Sequence, residues 1–262
     1  IKLSEMDASQ FPHFPETEGT TIDMKLGQLL KMVDSTAFSV YQKDDKPILK
    51  GLLFELDGDN LNVVGTNSLI LAKTSFKMFS KEGVSVVVPA KTLKDCIRIL
   101  GDDEDANIKI TIDQNSIFIA SESSKICTRL LEGEFVKYSN IIPKEYATRV
   151  RVNTKLLEGS LNMISVLSRE DDTNPVKMTV SGETIELESK SEYADGRDLI
   201  SANVEGEGIK ICFNAKFLLD ILRAVDDEEI YIEFISNLRP LVVKPVDNDS
   251  FIYLMAAIGT RD

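Results

Sequence analysis

The side chains with the clearest potential for chemistry are carboxylates in three acidic runs, at residues 102–105, 170–172 and 226–229. Grouped carboxylates can bind a divalent metal ion or act in acid–base catalysis. Each run, however, separates two apolar segments, a position that is typical of a solvated turn. We therefore interpret the runs as turns and keep a metal-dependent enzyme that uses them as an alternative.

Nucleophiles and cofactor-binding motifs are scarce. His13 is the only histidine, which leaves almost no material for a Ser-His-Asp triad or a multi-histidine metal site. The two glycines in residues 206–208 fit a turn before a strand rather than a phosphate-binding loop. Cys96, Cys127 and Cys212 are odd in number and widely spaced, unlike a disulfide framework or a zinc site. We therefore expect no catalytic residue, no metal and no cofactor.

The composition limits the class of protein. Of the 262 residues, 43% are hydrophobic and 28% are charged, which is enough to build a core and unlike a disordered chain. The net charge of −13 argues against a nucleic-acid binder with a uniformly basic surface. The sequence shows neither an apolar run of the roughly 20 residues that a membrane span needs nor a basic-then-apolar stretch at its start. We expect a soluble, cytoplasmic protein.

An internal repeat is the most informative pattern in the chain. At an offset of 125 residues, one set of five positions matches another: Ala90, Lys91, Leu93, Asp95 and Arg98 match Ala215, Lys216, Leu218, Asp220 and Arg223. In both copies an acidic run follows, and then a segment of alternating apolar residues: Ile108, Ile110 and Ile112 in one, Ile230, Ile232 and Phe234 in the other. Alternation with a period of two predicts a half-buried strand.

The elements around the repeat also agree between the copies. Four amphipathic helices are predicted at 24–37, 89–100, 154–167 and 215–225. Apolar stripes mark the first and third of these helices: Leu26, Leu30, Val33 and Ala37, and then Leu157, Leu161 and Ile164. Two hairpins follow these helices, one with its turn at 57–60 and one with its turn at 181–183, and each turn contains a glycine. Each copy thus reads helix, strands, helix, strands, which predicts two duplicated α+β domains.

These copies set the predicted domain boundaries. We predict a linker over 1–19, one domain over 20–142 and a second over 143–262, joined near Pro143. The chain opens with Ile1 rather than Met, and two prolines in 11–15 favour an extended, irregular segment. We expect that this linker leads from an N-terminal domain missing from the chain.

Positive charge is concentrated on the predicted helices, although the whole chain is acidic. The helices carry four acidic and eight basic residues, the latter being Lys25, Lys31, Lys91, Lys94, Arg98, Lys155, Lys216 and Arg223. One interpretation is that these residues cover the solvated faces of ordinary amphipathic helices. The other is a segregated surface that faces duplex DNA and holds its phosphates without reading sequence. The repeat favours the second, because Lys91 and Arg98 recur as Lys216 and Arg223.

Several segments resemble a known family in their order and spacing. They are Phe11-Pro12 and residues 51–55, 66–72, 88–91, 131–135, 138–143, 213–214 and 253–261. Together they are similar to the second and third domains of the bacterial DNA polymerase III beta subunit (beta sliding clamp) family. The resemblance covers essentially the whole chain.

The resemblance implies a fold, an assembly and a function. The fold would be α+β, with two tandem DNA-clamp domains that place helices inside and antiparallel sheets outside. Family members have three such domains and close head-to-tail into a dimeric ring. Because closure pairs the first domain with the third, we expect this chain to be a monomer.

The implied function is that of a processivity factor, a non-enzymatic accessory subunit. It would encircle duplex DNA and tether the replicative polymerase, the clamp loader and other partners through short peptide motifs. The alternative is a clamp-derived peptide-binding module that forms no ring.

The resemblance also implies a hydrophobic peptide pocket between the two domains. Its positions are Leu49, Thr66, Ser68, Leu69, Ile70, Leu71, Val136, Asn140, Ile141, Asn214, Phe217, Leu238, Pro240, Ala256, Ile258, Gly259, Thr260 and Arg261. An apolar cleft with a few polar anchors suits the recognition of a short peptide. The family usually has Thr-Asp-Gly-His-Arg-Leu where this chain has residues 66–71, and Pro-(Val or Met)-Arg where it has residues 259–261. These departures make the pocket more apolar.

Overall fold

The computed structural model describes residues 18–78, 83–168, 173–191 and 194–259. Most of the predicted linker falls outside the described residues, and so do His13, the acidic run at 170–172 and the pocket positions Thr260 and Arg261. Within the described ranges, the helices are too short or too polar to span a membrane.

The described chain contains four α-helices and eighteen strands. The helices are α1 (Leu26–Asp34), α2 (Ala90–Leu100), α3 (Thr154–Ser165) and α4 (Ala215–Arg223). The strands of the first half are β1 (Thr20–Lys25), β2 (Gly51–Asp57), β3 (Asn60–Thr66), β4 (Ile70–Lys77), β5 (Val84–Pro89), β6 (Asn107–Ile112), β7 (Ser116–Ala120) and β8 (Lys125–Arg129). Those of the second half are β9 (Thr148–Asn153), β10 (Pro175–Ser181), β11 (Thr184–Lys190), β12 (Asp195–Ser201), β13 (Asn203–Gly206), β14 (Ile209–Asn214), β15 (Glu229–Phe234), β16 (Leu241–Pro245), β17 (Phe251–Met255) and β18 (Ala257–Ile258).

Three antiparallel sheets hold these strands. Their orders are β1-β6-β7-β8, β12-β11-β10-β14-β18 and β13-β9-β15-β16-β17-β4-β3-β2-β5. The repeat is visible in them, because β9-β15-β16-β17 has the same order in its half as β1-β6-β7-β8 in the other. The nine-stranded sheet therefore combines strands of both halves. They meet where β17 pairs with β4, from Phe251 opposite Thr74 to Met255 opposite Ile70.

All four helices cover the same face of the nine-stranded sheet. One core cluster joins α1 and α2 to buried residues of β2, β3 and β5, such as Phe54 and Val63. A second joins α3 and α4 to β15, β16, β17 and β4, with Tyr253 and Ile70 among its members. The strand pairing shows that both clusters lie on one face, because directly paired residues of antiparallel strands point to the same side of a sheet. Tyr253 pairs with Ala72, and Phe54 pairs with Val63. Val63 in turn pairs with Thr74, which is two residues from Ala72 on the same strand. We call the opposite face of this sheet the outer face.

The predicted α+β class, the hairpins and the alternating strands are confirmed. Gly58 and Gly182 have φ values of 58° and 57° in the hairpin turns, a conformation that glycine adopts without strain. The buried stripe of Leu157, Leu161 and Ile164 is also as predicted.

The first helix differs from its prediction. It spans 26–34 rather than 24–37, because Met24 and Lys25 are the last residues of β1 and pair with Ile108 and Asn107. Its buried stripe contains Leu29 and Met32, whereas Leu30 is only half-buried. The predicted stripe was wrong at Leu30 because a segment with apolar residues on several sides fits more than one helical face.

Candidate nucleic-acid and peptide interfaces

The exposed sides of the four helices form one surface, which we call the helix face. Helix α1 packs beside α2, and α3 beside α4. The two pairs meet where Lys31 of α1 forms an ion pair with Asp226, just beyond α4. The helix face therefore runs across both halves of the chain.

Half of the predicted DNA-facing residues are engaged in ion pairs. Besides Lys31, Arg98 pairs with Asp95 at 3.1 Å, and Lys155 and Arg223 both approach Glu158, at 2.9 and 3.6 Å. These contacts reduce the positive charge that the helix face presents.

The other four basic residues remain available for an anion. Lys91, Lys94 and Lys216 are exposed and form no ion pair with the described part of the chain. Lys25 ends β1, and its ammonium donates a hydrogen bond to the backbone carbonyl of Asp105 at 2.7 Å. The strongest unpaired charge thus lies at the start of α2 and of α4.

The helix face also carries apolar side chains that were not singled out in the sequence. Ile99 on α2 and Leu156 and Met163 on α3 are more than half exposed. Leu156 and Met163 are seven residues apart and therefore share one side of α3. Helices α1 and α3 each carry one basic residue, against three on α2 and two on α4.

The predicted peptide pocket lies at one end of the nine-stranded sheet. Strands β4 and β16 begin there and β17 ends there, since Ile70, Met255 and Leu241 are paired in one row. The turn before β4, residues 66–69, and the turn before β16, residues 235–240, therefore project from the same end.

Strand β18 and helix α4 complete this end. The backbone N–H of Ala256 donates to the carbonyl of Leu69 at 2.8 Å, and Ile258 pairs with Cys212 of β14. Strand β14 runs into α4, where the Asn214 side chain caps the helix by accepting from the N–H groups of Lys216 and Phe217. Ser68–Leu71, Ala256–Ile258 and the start of α4 are thus brought together.

A small cluster on the outer face links this end to the segment between the two halves. Leu49, Leu71, Tyr138 and Leu254 are all buried in it. Ile141 lies next to this cluster, and its backbone N–H donates a hydrogen bond to the carbonyl of Tyr138 at 2.9 Å. Leu49 and Ile141, two of the predicted pocket residues, therefore lie beside the predicted pocket residues of β4.

Exposure separates the predicted pocket residues into two groups. Leu69, Ile141 and Leu238 are 53%, 47% and 73% exposed and form the accessible apolar surface. Leu49, Thr66, Ile70 and Leu71 are buried, and Ile70 packs into the helix-side core. The buried group positions the turn and the sheet end. We call the accessible surface, with Phe217, Pro240 and residues 256–259 around it, the cleft.

Two predicted pocket residues border a separate groove on the outer face. Val136 and Asn140 line a cavity of about 1660 Å³, together with Glu55, Tyr138 and Arg129. The Tyr138 hydroxyl donates a hydrogen bond to Glu55. Burial of the phenol, and then this bond to a carboxylate, raise the pKa of Tyr138. No local sequence pattern predicts this contact, because the two residues are 83 positions apart.

The described acidic runs lie in exposed connections. Residues 102–105 lie between α2 and β6, and residues 226–228 lie between α4 and β15, which begins at Glu229. In the part of the chain that the structure describes, no group of three or more His, Cys, Asp or Glu residues is arranged to hold a metal ion. Cys96, Cys127 and Cys212 are free thiols, and burial is the main cause that raises the pKa of each.

Comparisons with known proteins give one family for both halves. The family model described as DNA polymerase III beta subunit, central domain, matches residues 23–137. The model described as DNA polymerase III beta subunit, C-terminal domain, matches residues 139–258.

Individual relatives agree with these matches. The curated Beta sliding clamps of Staphylococcus epidermidis and Staphylococcus aureus are 29% and 28% identical to this chain over 264 residues, which cover 99% of it and 70% of each relative. The crystal structure of the DNA polymerase sliding clamp from Bacillus subtilis is similar with a TM-score of 0.93 and 28% identity, over 98% of this chain and 69% of that one. The crystal structure of the DNA polymerase III beta chain from Streptococcus pneumoniae is similar with a TM-score of 0.91 and 28% identity, over 99% of this chain and 70% of that one. The resemblance found in the sequence is confirmed: the chain belongs to the DNA polymerase III beta subunit family.

Proposed function

We propose that the chain is part of a processivity factor, a sliding clamp that encircles duplex DNA and tethers the replicative polymerase. The main structural support for this proposal is that the helices of both halves cover one face of a continuous nine-stranded sheet. Such a sheet can form an arc with its helices turned inward, toward the duplex. In this proposal the chain is an accessory subunit that performs no reaction of its own and acts in the cytoplasm.

Charge on the helix face supports contact with DNA through phosphates alone. Lys91, Lys94 and Lys216 have no carboxylate partner among the described residues, so their ammonium groups can approach phosphate without first breaking an ion pair. The chain as a whole is acidic, which keeps the attraction local and weak. We expect binding that does not depend on DNA sequence and that decreases as salt increases.

A double substitution tests this surface. Lys91→Ala with Arg98→Ala should weaken binding to any duplex and reduce the slope of log K against log salt by roughly one to two, since each phosphate contact contributes about 0.9. The matched control is Lys109→Ala with Lys210→Ala, which removes the same charge from exposed strand positions in β6 and β14. Equal effects of the two pairs would contradict a DNA-binding helix face.

We propose that the chain, when joined to a further domain of the same fold, closes a ring as a head-to-tail homodimer. Among the edge strands of the described sheets, β8 and β12 each match in topology a strand that is paired at the β4–β17 junction. A further domain of the same fold would complete one edge, and the partner protomer the other.

The cleft is the proposed site for peptides of the polymerase and the clamp loader. Its exposed Leu69, Ile141 and Leu238 would be covered by an extended segment that ends in Leu or Phe. Burying one such anchor contributes roughly 1.5–3 kcal/mol, so Ile258→Asp should weaken the peptide complex at least tenfold. Leu199→Asp, at an exposed position on β12, is the control. Unchanged peptide affinity in Ile258→Asp would contradict the cleft assignment.

A further inference from the structure

The outer face of the first half carries a large groove apart from the cleft. It is the cavity of about 1660 Å³ that Val136 and Asn140 border, and we call it the outer groove. Residues of β2, β3, β4 and β5 form its floor, and the segment between the two halves forms one wall. Its volume exceeds the roughly 300–1,000 Å³ of small-molecule pockets, which favours a longer ligand such as an extended segment of a protein.

Strand pairing separates the outer groove from the cleft. The cleft lies at the end of the sheet, beyond the pair of Ile70 and Met255. Lys73, which lies on the floor of the outer groove, is three positions further along β4, or about 10 Å away. Tyr138 stands between the two sites, because its ring belongs to the outer-face cluster and its hydroxyl reaches Glu55 in the outer groove.

The floor of the outer groove presents hydrogen-bond donors that lack an acceptor. Lys73 is half-buried and forms no ion pair with the described part of the chain. Asn62 lies diagonally across from it on β3 and is 9% exposed. The Asn62 side-chain oxygen accepts from the Ser75 hydroxyl at 2.8 Å, so its amide nitrogen is the group left for a ligand. A buried donor without an acceptor costs free energy, and an anion bound at this place would remove that cost.

A second lysine adds positive charge at the same end of the outer groove. Lys144 lines the groove, is exposed and has no ion pair within the described ranges. Two residues earlier, Ile142 packs in the outer-face cluster with Ile252, and Ile252 is paired with Lys73. We call the part of the groove around Lys73 and Lys144 its basic end.

Two acidic residues of the outer groove are already engaged. The Glu55 carboxylate accepts a hydrogen bond from the Tyr138 hydroxyl. Glu134 forms an ion pair with Lys137 at 3.6 Å. Neither carboxylate is within ion-pair distance of Lys73.

The other two acidic residues lie away from the basic end. Asp57 is the last residue of β2, two strands from β4. Glu132 follows the residue that bridges to β5, which is three strands or about 14 Å across the sheet from β4. Arg129 also lines the groove and partly offsets these charges. A carboxylate for the basic end must therefore come from a ligand.

We propose that the outer groove is a second docking site, which binds an extended segment of a partner protein with an aspartate or glutamate at one end. The carboxylate accepts hydrogen bonds from the Lys73 ammonium and the Asn62 amide, and Lys144 adds to the attraction. Because Asp57 and Glu132 lie away from the basic end, a second acidic residue at the other end of the segment is disfavoured. The site depends neither on the cleft nor on the helix face.

A peptide selection tests the outer groove. The bait is the full chain carrying Ile258→Asp, which disables the cleft, and the probe is a phage-displayed library of random seven-residue peptides. The selected peptides should be enriched in Asp or Glu at one end. When they are synthesised with a fluorescein label, replacing that residue by Asn or Gln should weaken binding about tenfold in fluorescence anisotropy.

Substitutions on β4 show whether these peptides bind in the outer groove. Lys73→Gln should weaken binding about tenfold, and Lys73→Arg should largely retain it because the positive charge stays in place. The matched control is Lys77→Gln, which removes an exposed lysine from the same strand and the same face but outside the groove. The midpoint of urea unfolding, measured for each variant, shows that the fold is kept.

Every outcome decides for or against the site. A loss in Lys73→Gln, with affinity kept in Lys73→Arg and Lys77→Gln, supports it. The proposal is overturned if the library yields no binder, if the binders show no acidic residue at one end, or if Lys73→Gln and Lys77→Gln bind them equally well. Because the bait has a disabled cleft, these results do not depend on whether the cleft assignment is correct.

Discussion

Lys31 Nζ lies 3.2 Å from Asp226 Oδ2, and this ion pair joins α1 of the first half to the turn after α4 of the second. Both side chains are mostly exposed, so the pair contributes little to stability. Its consequence is electrostatic, because Asp226 neutralises a lysine at the place where the two halves of the helix face meet. Phe38 contacts Tyr253 edge-on near the same junction, so packing holds the halves together without the ion pair.

Releasing Lys31 should therefore strengthen DNA binding. We expect Asp226→Asn to increase affinity for duplex DNA at low salt and Lys31→Ala to decrease it, with little change in the midpoint of urea unfolding for either variant. Glu183→Gln, in the exposed hairpin turn of the second half, changes the net charge equally and is the control. The measurement is anisotropy of labelled duplexes over a salt series. An equal gain from Glu183→Gln would mean that net charge alone is responsible.

The partly buried hydrogen bond between Tyr138 and Glu55 should stabilise the outer face. It connects the segment between the two halves to β2, and Tyr138 is buried in the outer-face cluster. Tyr138→Phe leaves the Glu55 carboxylate without its donor and should lower the free energy of unfolding by about 1 kcal/mol. Tyr146→Phe, which removes an exposed hydroxyl bonded to Glu205 at 3.3 Å, should have a much smaller effect in the same urea titration.

The same bond predicts a loss of stability in alkali. Burial, followed by the bond to Glu55, raises the pKa of the Tyr138 phenol above its ordinary value of 10.0. The contribution of the neutral phenol is therefore complete below about pH 10 and is lost as the pH rises through the folded-state value. Between about pH 8 and pH 11, wild type should lose more stability than Tyr138→Phe. Parallel losses in the two proteins would contradict the assignment.

Asp220 on α4 is expected to oppose folding at neutral pH. Burial raises its carboxyl pKa above the ordinary value of 3.8, although Lys216 and Arg223 partly offset this effect. Folding therefore penalises the charged form, and stability falls as the pH rises through the folded-state value. Asp220→Asn should stabilise the protein by a few tenths of a kcal/mol at pH 7 and give no gain below about pH 3.5.

The equivalent position in the repeat provides the control for Asp220. Asp95 on α2 accepts a hydrogen bond from Arg98 at 3.1 Å, so Asp95→Asn removes a favourable contact and should not stabilise. The measurement is urea unfolding of both variants and wild type at each pH. The prediction would be contradicted if Asp95→Asn raised the free energy of unfolding as much as Asp220→Asn. It would also be contradicted if the stabilisation by Asp220→Asn persisted below about pH 3.5.

Much of the fold could be predicted because its signals are local. The strand containing Ile108, Ile110 and Ile112 and the hairpin glycines depend on residues a few positions apart, and the repeat compares two such local patterns, one at Lys91 and one at Lys216. The predicted helix bounds were less accurate. Met24 belongs to a strand because it pairs with Ile108, and the local periodicity of the sequence does not reveal that pairing.

The arrangement of the site could not be predicted from such signals. Ile70 was expected in the pocket but is buried in the helix-side core, since it pairs with Met255 at the junction of the two halves. Tyr138 and Glu55 are likewise joined only by the tertiary fold. Long-range pairing of β4 with β17 decides which apolar residues are covered and which, such as Leu69, stay exposed.

The junction of β4 and β17 also bears on the oligomeric state. At one end of this junction, apolar pairs are buried on both faces of the sheet: Ile70 opposite Met255, and Leu71 opposite Leu254. Hydrophobic burial therefore adds to the ladder of backbone hydrogen bonds. The free edges that could copy this junction between two chains are β8 and β12.

Those free edges lack the apolar pairs. When the halves are aligned by the repeat that matches Ile110 with Ile232, Cys127 and Asp195 take the places of Leu254 and Leu71, and Lys125 and Asp198 take those of Ile252 and Thr74. Arg129 is the last residue of β8. Charged residues on an edge strand disfavour pairing with another copy. We therefore expect the 262-residue chain to be monomeric at micromolar concentration in sedimentation velocity. Arg129→Leu with Asp195→Leu should increase association, whereas Lys109→Leu with Lys210→Leu, away from the edges, should not. A stable closed oligomer of the wild-type chain would contradict this prediction and show that the charged edges suffice for pairing.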